Sequence, residues 1–240
     1  MKKTLVFLLI LALLTGLALP AFAAGEDLLL TLVNPWNPLP EDWTVELVSI
    51  GNGHKVDKTC SDALTAMLDA CKAAGLRPVV RSSYRSQATQ KRLYENKVSQ
   101  WKGYGYNTED ARKKAATIVA PPGTSEHQMG WAVDIVDASY QVLNEKQAAM
   151  PAQMWLMEHS WEYGFILRYP TNKSHVTGII YEPWHYRYVG KDHAKAIYES
   201  GLCLEEWLEQ RETLQTVENA VNAQLEETRR RAFVMLWNRQ

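Results

Sequence analysis

One residue constrains this chain more than any other: Asp134, in the middle of the apolar run Trp131-Ala132-Val133-Asp134-Ile135-Val136. The run reads as a buried strand. A lone carboxylate in such a strand carries a large desolvation cost unless a donor or a cation meets it. Any fold this sequence adopts must therefore bring hydrogen bonds, positive charge or a metal ion to that point.

Partners of the right kind lie elsewhere in the chain. His127 stands seven residues earlier, after the Pro121-Pro122-Gly123 turn, in a loop that feeds the strand. Loops on a rigid scaffold are where side chains project into sites. A second segment, Glu182-Pro183-Trp184-His185, adds an imidazole and a carboxylate. His127, Asp134 and His185 together offer the donor atoms for one Zn2+ ion with an open coordination position, and Glu182 offers a base for water held there. Pro183 excludes the helical His-Glu-x-x-His arrangement, so this segment must be strand or loop. A plainer reading stands beside this one, in which Glu182 pairs with Arg187 and His185 packs as an aromatic ring. His54, His159, His175 and His193 have no suggestive neighbours and read as structural or solvent-facing.

With 240 residues, 46% hydrophobic and 22% charged, the chain suits one soluble domain with a real core and some appendages. A net charge of −1 suggests neither nucleic acid nor an anionic membrane surface as partner. Nine Trp and eleven Tyr read mainly as core packing. Residues 1–23 read as a signal peptide: Lys2 and Lys3, an apolar stretch from Thr4 to Pro20, then Ala21-Phe22-Ala23. The rival is an uncleaved anchor, the stretch falling just short of the ~20 residues that span a bilayer. Either places the body outside the cytoplasmic membrane, secreted or in the cell envelope. Cys60 and Cys71 flank or sit on one expected helix, about 16 Å apart at 1.5 Å per residue, too far to bridge. Either could still pair with Cys203, but buried free thiols are the expectation, and the absence of Cys-x-x-Cys rules out a cysteine zinc knuckle.

Residues 25–43, rich in Pro and Asn, read as an extended arm. A helix capped at Ser61 and ended by Gly75 follows, then a strand at 76–82 and helices at 86–98 and 108–119. After the strand at 131–136 come a helix at 151–163 with Pro at its first turn, strands at 165–169 and 179–189, and a helix at 191–200. From Leu204 the pattern is helical and charged, with a heptad recurrence too broken for a coiled coil. Helices early, strands late and little βαβ alternation predict an α+β fold: a small, largely antiparallel sheet, helices packed on it, a zinc site in a groove at the sheet and a long C-terminal helix. The expected parts are the signal peptide at 1–23, the main domain at 24–210 and a helical extension at 211–240.

The segment Pro121-Pro122-Gly123-Thr124-Ser125-Glu126-His127-Gln128-Met129-Gly130-Trp131-Ala132-Val133-Asp134-Ile135 resembles the S-x-H-x-x-G-x-A-x-D signature of bacterial zinc D-alanyl-D-alanine carboxypeptidases of the vancomycin-resistance type. Residues 177–190, around Glu182-Pro183-Trp184-His185, look like that family's second signature. Ser83-Tyr84-Arg85-Ser86 with Gln90, and Tyr163-Gly164-Phe165-Ile166-Leu167-Arg168-Tyr169-Pro170, match further family segments in order. The resemblance covers roughly Leu28 to Glu209. It implies one zinc ion on His127, Asp134 and His185, Glu182 as catalytic base, and Arg85 facing the scissile carbonyl oxygen. It also implies a core fold shared with lysostaphin-type endopeptidases and the hedgehog signalling domain. One departure is Ser83, where glycine is frequent.

The implied activity is hydrolysis of the terminal D-Ala from D-Ala-D-Ala-ending peptidoglycan stem peptides. A carboxypeptidase must read a free carboxylate, for which Ser125 and Gln90 are the candidates and Arg81 a weaker one. A monomer is expected. The rival readings are an L,D-carboxypeptidase acting on tetrapeptide stems and a catalytically silent wall-binding module.

Overall fold

The computed structural model describes residues 28–237, and the expected signal peptide at 1–23 lies outside them. The chain divides between Thr31 and Leu32 into two units. The first contributes a 3-10 turn at Leu28–Leu30; everything below belongs to the second.

That unit opens with a turn in which the Asn34 side-chain oxygen accepts from the backbone of Trp36 and Asn37. Strands β1 (Leu47–Gly51) and β2 (His54–Asp57) then form an antiparallel hairpin. Strands therefore precede the first long helix, contrary to the expected order. Gly51, Asn52 and Gly53 all have positive φ, the backbone this tight connection demands. Helix α1 (Lys58–Ala73) starts at once, capped by Asp57, whose carboxylate accepts from the Thr59 amide at 2.9 Å. Ser61, the expected cap, already lies inside the helix and bonds back to the Lys58 carbonyl.

Strand β3 (Pro78–Ser82) leads to helices α2 (Gln87–Gly103, capped by Ser86) and α3 (Thr108–Ala116, capped by Asn107). These two pair through Tyr94, Val98, Ala111 and Ala115. Strand β4 (Ala132–Asp137) is followed by α4 (Pro151–His159), a 3-10 turn (Ser160–Tyr163) and the short strand β5 (Phe165–Leu167). The single turn α5 (Ser174–Thr177) precedes strand β6 (His185–Tyr188). The expected strand at 179–189 is thus confined to its last third. Pro183 cannot donate to a ladder, and the Glu182–His185 segment closes a turn, His185 N–H donating to the Glu182 carbonyl at 3.1 Å.

The main sheet has the order β3-β4-β6-β5, antiparallel throughout, as the α+β reading expects. All six residues of β4 are buried, because it lies centrally and α4 packs against it. The core gathers Leu64 and Met67 from α1, Ile135 and Val136 from β4, and Leu156 from α4. Helix α6 (Lys191–Ser200) is followed by α7 (Leu204–Trp237), whose first turns are anchored by Leu204 and Trp207. Helix α7 runs through position 210 without a break. Among the described residues no helix is long and apolar enough to cross a membrane. Cys60, Cys71 and Cys203 are buried free thiols.

Candidate active site

The sheet register assembles the site around Asp134. On one side Asp134 is the cross-strand partner of His185, on the other of Ser82. Opposed residues of an antiparallel pair project from the same face, and His185 Nδ1 lies 3.1 Å from Asp134 Oδ1. Asp134 Oδ2 lies 3.3 Å from His127 Nε2 and accepts a 2.7 Å ion pair from Arg85 Nη2. Burial works against its charge, but the two imidazoles and Arg85 hold the carboxyl well below the usual carboxylate range. The desolvation problem posed by the strand sequence is resolved by partners from three segments.

His127 rides on a 3-10 turn, Glu126–Met129, closed by Gly130 at φ 79°. A Cβ on Gly130 would come within 2.8 Å of Val45 Cγ1 and 3.0 Å of Asp57, so glycine is required both for the turn and for the close approach. The His127 carbonyl accepts from the Arg85 amide at 3.0 Å. Its ring Nδ1 sits 2.8 Å from the Ser83 carbonyl, which can only accept. The proton therefore resides on Nδ1, and the Nε2 lone pair points to the Asp134 side. Ser83 serves through its main chain, which any residue there would supply. Its hydroxyl accepts from the Lys55 amide at 3.2 Å and lies 3.1 Å from His54 Nδ1, tying β2 to the site.

Glu182 is buried on the turn before β6, with Oε2 3.7 Å from His185 Nδ1. Burial, reinforced by the Asp134 charge, pushes its carboxyl up to about 8, with His185 and Arg85 opposing. His127 is pushed down to about 4, by burial first and then by Arg85. His185 goes the other way, up to about 9: burial opposes this, but Asp134 and Glu126 outweigh it. Two carboxyl groups, Asp134 and Glu182, thus share this buried pocket with two imidazoles and Arg85. Donor atoms of His127, Asp134 and His185 all lie within 4.8 Å of one another. Two imidazoles and a carboxylate, one imidazole with its lone pair already oriented, fit a zinc ion.

The site opens into a cleft of about 490 Å³. Leu93, Asn96 and Lys97 of α2 line one part of it, and Tyr169, Glu182 and Trp184 another. Ser125 lines the cleft, and its side chain makes no capping bond to the turn it precedes. Gln90 does not line it. It is fully buried, Nε2 donating to the Ala120 carbonyl at 2.7 Å while Oε1 lies 3.4 Å from Arg85 Nη1. Both ends of the amide are engaged, one with the Ala120 loop and one with Arg85. Arg81 is exposed on β3, outside the cleft.

Sequence reasoning missed the buried ions behind the site. Glu126 pairs with Arg168 Nε at 2.7 Å and Arg187 Nη1 at 2.9 Å, all three side chains fully buried. Arg187 is therefore engaged with Glu126, in place of the Glu182 pairing raised as the plainer reading. Arg168 carried a signal, being a cation next to the apolar run Phe165-Ile166-Leu167. Tyr169 was also missed; its ring lies 4.8 Å from that of His185.

Comparison with known proteins defines the class. Residues 53–191 match the VanY family, D-alanyl-D-alanine carboxypeptidase. The D-alanyl-D-alanine carboxypeptidase of Enterococcus faecalis (strain ATCC 700802 / V583) is 46% identical over 180 residues, 75% of this chain and 65% of that protein. This chain thus spans just under two thirds of that relative's length. A crystal structure of a variant of the vancomycin-resistance D,D-pentapeptidase VanY from the VanB-type cassette, in complex with Zn(II), is 44% identical. It superposes with a TM-score of 0.68, covering 75% of this chain and 98% of that one. The L,D-carboxypeptidase LdcB is 37% identical with a TM-score of 0.62, covering 78% of this chain and 88% of that one. The chain belongs to the VanY family of D-alanyl-D-alanine carboxypeptidases.

Proposed function

We propose that this protein is a zinc-dependent carboxypeptidase that removes the terminal D-alanine from D-Ala-D-Ala-ending peptidoglycan stem peptides. One observation carries the reading: His127, Asp134 and His185 converge within 4.8 Å at a cleft, with the Glu182 carboxylate 3.7 Å from His185. These three side chains would hold the ion. When bound, zinc supplies Lewis acidity, acidifying a water and polarising the scissile carbonyl.

Glu182 takes a proton from the attacking water as the new C–O bond forms. The C–N bond then breaks, and Glu182 returns that proton to the amine of the departing D-alanine. Its burial favours the protonated form, which suits a group that must accept and release a proton near neutral pH. Arg85, braced by Ser82 at 2.8 Å and by Asp134, presents its guanidinium to the charge developing on the carbonyl oxygen. Ser125 offers its hydroxyl to the terminal carboxylate. Gln90 acts one step back, holding Arg85.

The export pattern of residues 1–23 agrees with a substrate in the wall and supports a location outside the cytoplasmic membrane. The likeness to LdcB keeps an L,D activity on tetrapeptide stems as the second reading, while the presence of Glu182 argues against a silent wall-binding module. Purified zinc-loaded protein incubated with pentapeptide and tetrapeptide stems, with products weighed by mass spectrometry, tests the proposal. Loss of one alanine from the pentapeptide alone is expected. Cleavage of the tetrapeptide alone replaces it with the second reading, and cleavage of neither overturns it.

A further inference from the structure

Behind His185 lies a chain of buried charges that the proposed reaction does not use. Both guanidiniums that hold Glu126 bind the same oxygen, Oε1: Arg168 Nε at 2.7 Å and Arg187 Nη1 at 2.9 Å. The other oxygen, Oε2, faces His185 Nε2 at 3.5 Å. Both of these atoms are buried, and neither has a hydrogen-bond partner. Arg168 is in turn gripped on its far side by Glu205, with Nη1 to Oε2 at 2.8 Å and Nη2 to Oε1 at 2.6 Å. Glu205 stands in the first turn of α7 and also accepts from Asn34 Nδ2 at 3.1 Å.

We propose that Glu126 is a positioning residue for His185, accepting its Nε2–H so that Nδ1 is presented to the metal, and that Glu205 extends this support to the root of α7. Three features of the geometry lead there. Nδ1 is the His185 nitrogen on the Asp134 and Glu182 side, so it is the one aimed at the metal. A metal-ligating imidazole requires its other nitrogen to carry the proton, and a carboxylate acceptor fixes both tautomer and ring orientation. Two arginines on one oxygen keep Glu126 charged and leave the remaining oxygen aimed at that proton. The bidentate Arg168–Glu205 pair then fixes Arg168, since a guanidinium held on both edges cannot rotate away.

This inference rests on the proposed zinc site, so a zinc titration of the wild type by chelator competition comes first; no binding there sinks the site itself. Given binding, Glu126→Gln is expected to weaken zinc about 10–100-fold. Glu205→Gln should weaken it in the same direction by a smaller factor. Unchanged affinity in folded Glu126→Gln overturns the role of Glu126, and unchanged affinity in Glu205→Gln removes α7 from the relay. Should Glu126→Gln not fold, the zinc-loaded wild type decides alone. Long-range 1H–15N spectra are expected to show His185 as the Nε2–H tautomer with a slowly exchanging proton, and an Nδ1–H tautomer refutes the proposal.

Discussion

The Ser83 carbonyl accepts a 2.8 Å hydrogen bond from His127 Nδ1, so the strand end before Arg85 decides which nitrogen of His127 faces the site. The bond orients the ring before any metal arrives. Because zinc affinity depends on all three donors, His127→Ala is expected to release the ion. Metal analysis after dialysis checks this, and full zinc occupancy in that variant contradicts the assignment.

Glu182 is within reach of the site but is assigned no part in holding the ion. Glu182→Ala should therefore keep zinc while turnover on pentapeptide stems falls by about 10²–10⁴. Zinc content and turnover measured on one preparation separate the two effects. Turnover equal to wild type would remove Glu182 from the chemistry.

Gly130 closes the turn that carries His127, at φ 79°, with Val45 Cγ1 only 2.8 Å from where a Cβ would be. Gly130→Ala is expected to cost about 1–3 kcal/mol from backbone strain alone, with the clash adding to it. The turn would shift and carry His127 with it, so zinc binding should weaken as well. Urea denaturation of the metal-free protein measures the first effect, and chelator competition the second.

Burial pushes the Cys60 thiol up to about 12, with the Asp57 charge adding to it, and the Cys71 thiol up to about 11. A raised thiol pKa keeps the group protonated when folded, so its stabilising effect is intact below the ordinary thiol value. It is lost as the pH climbs from about 9 towards these raised values, because only the unfolded chain ionises there. Iodoacetamide at pH 8 should label none of the three cysteines until denaturant is added, and the thermal midpoint should fall above pH 9. Rapid labelling of the folded protein contradicts the buried-thiol arrangement.

Much of the architecture could be read from local pattern. Helices α2, α3 and α6 begin within a residue of the expected starts at 86, 108 and 191. The hairpin β1–β2 was overlooked although Asn52-Gly53 is a hairpin signal. Its strands are four and five residues long, too short for periodicity to stand out. The cap of α1 was misplaced because Asp57 belongs to a strand and caps a helix at once. Sequence position places Gln90 near the site without saying whether it faces cleft or core, and the fold buries it away from the cleft lining.

Asp134 in its apolar strand, the two histidines and Glu182 were legible from the chain alone, because residue type and local period state what chemistry a position can carry. Which of those groups meet, and through which atoms, is a matter of register between strands far apart in sequence. The pairing of β4 with β6 sets Asp134 against His185, and the return from β3 sets Ser83 and Arg85 against His127. The pairing of Glu126, Arg168, Arg187 and Glu205 belongs to the tertiary structure. Glu126, Arg168 and Arg187 are fully buried and Glu205 nearly so, and only the fold brings these distant positions into contact.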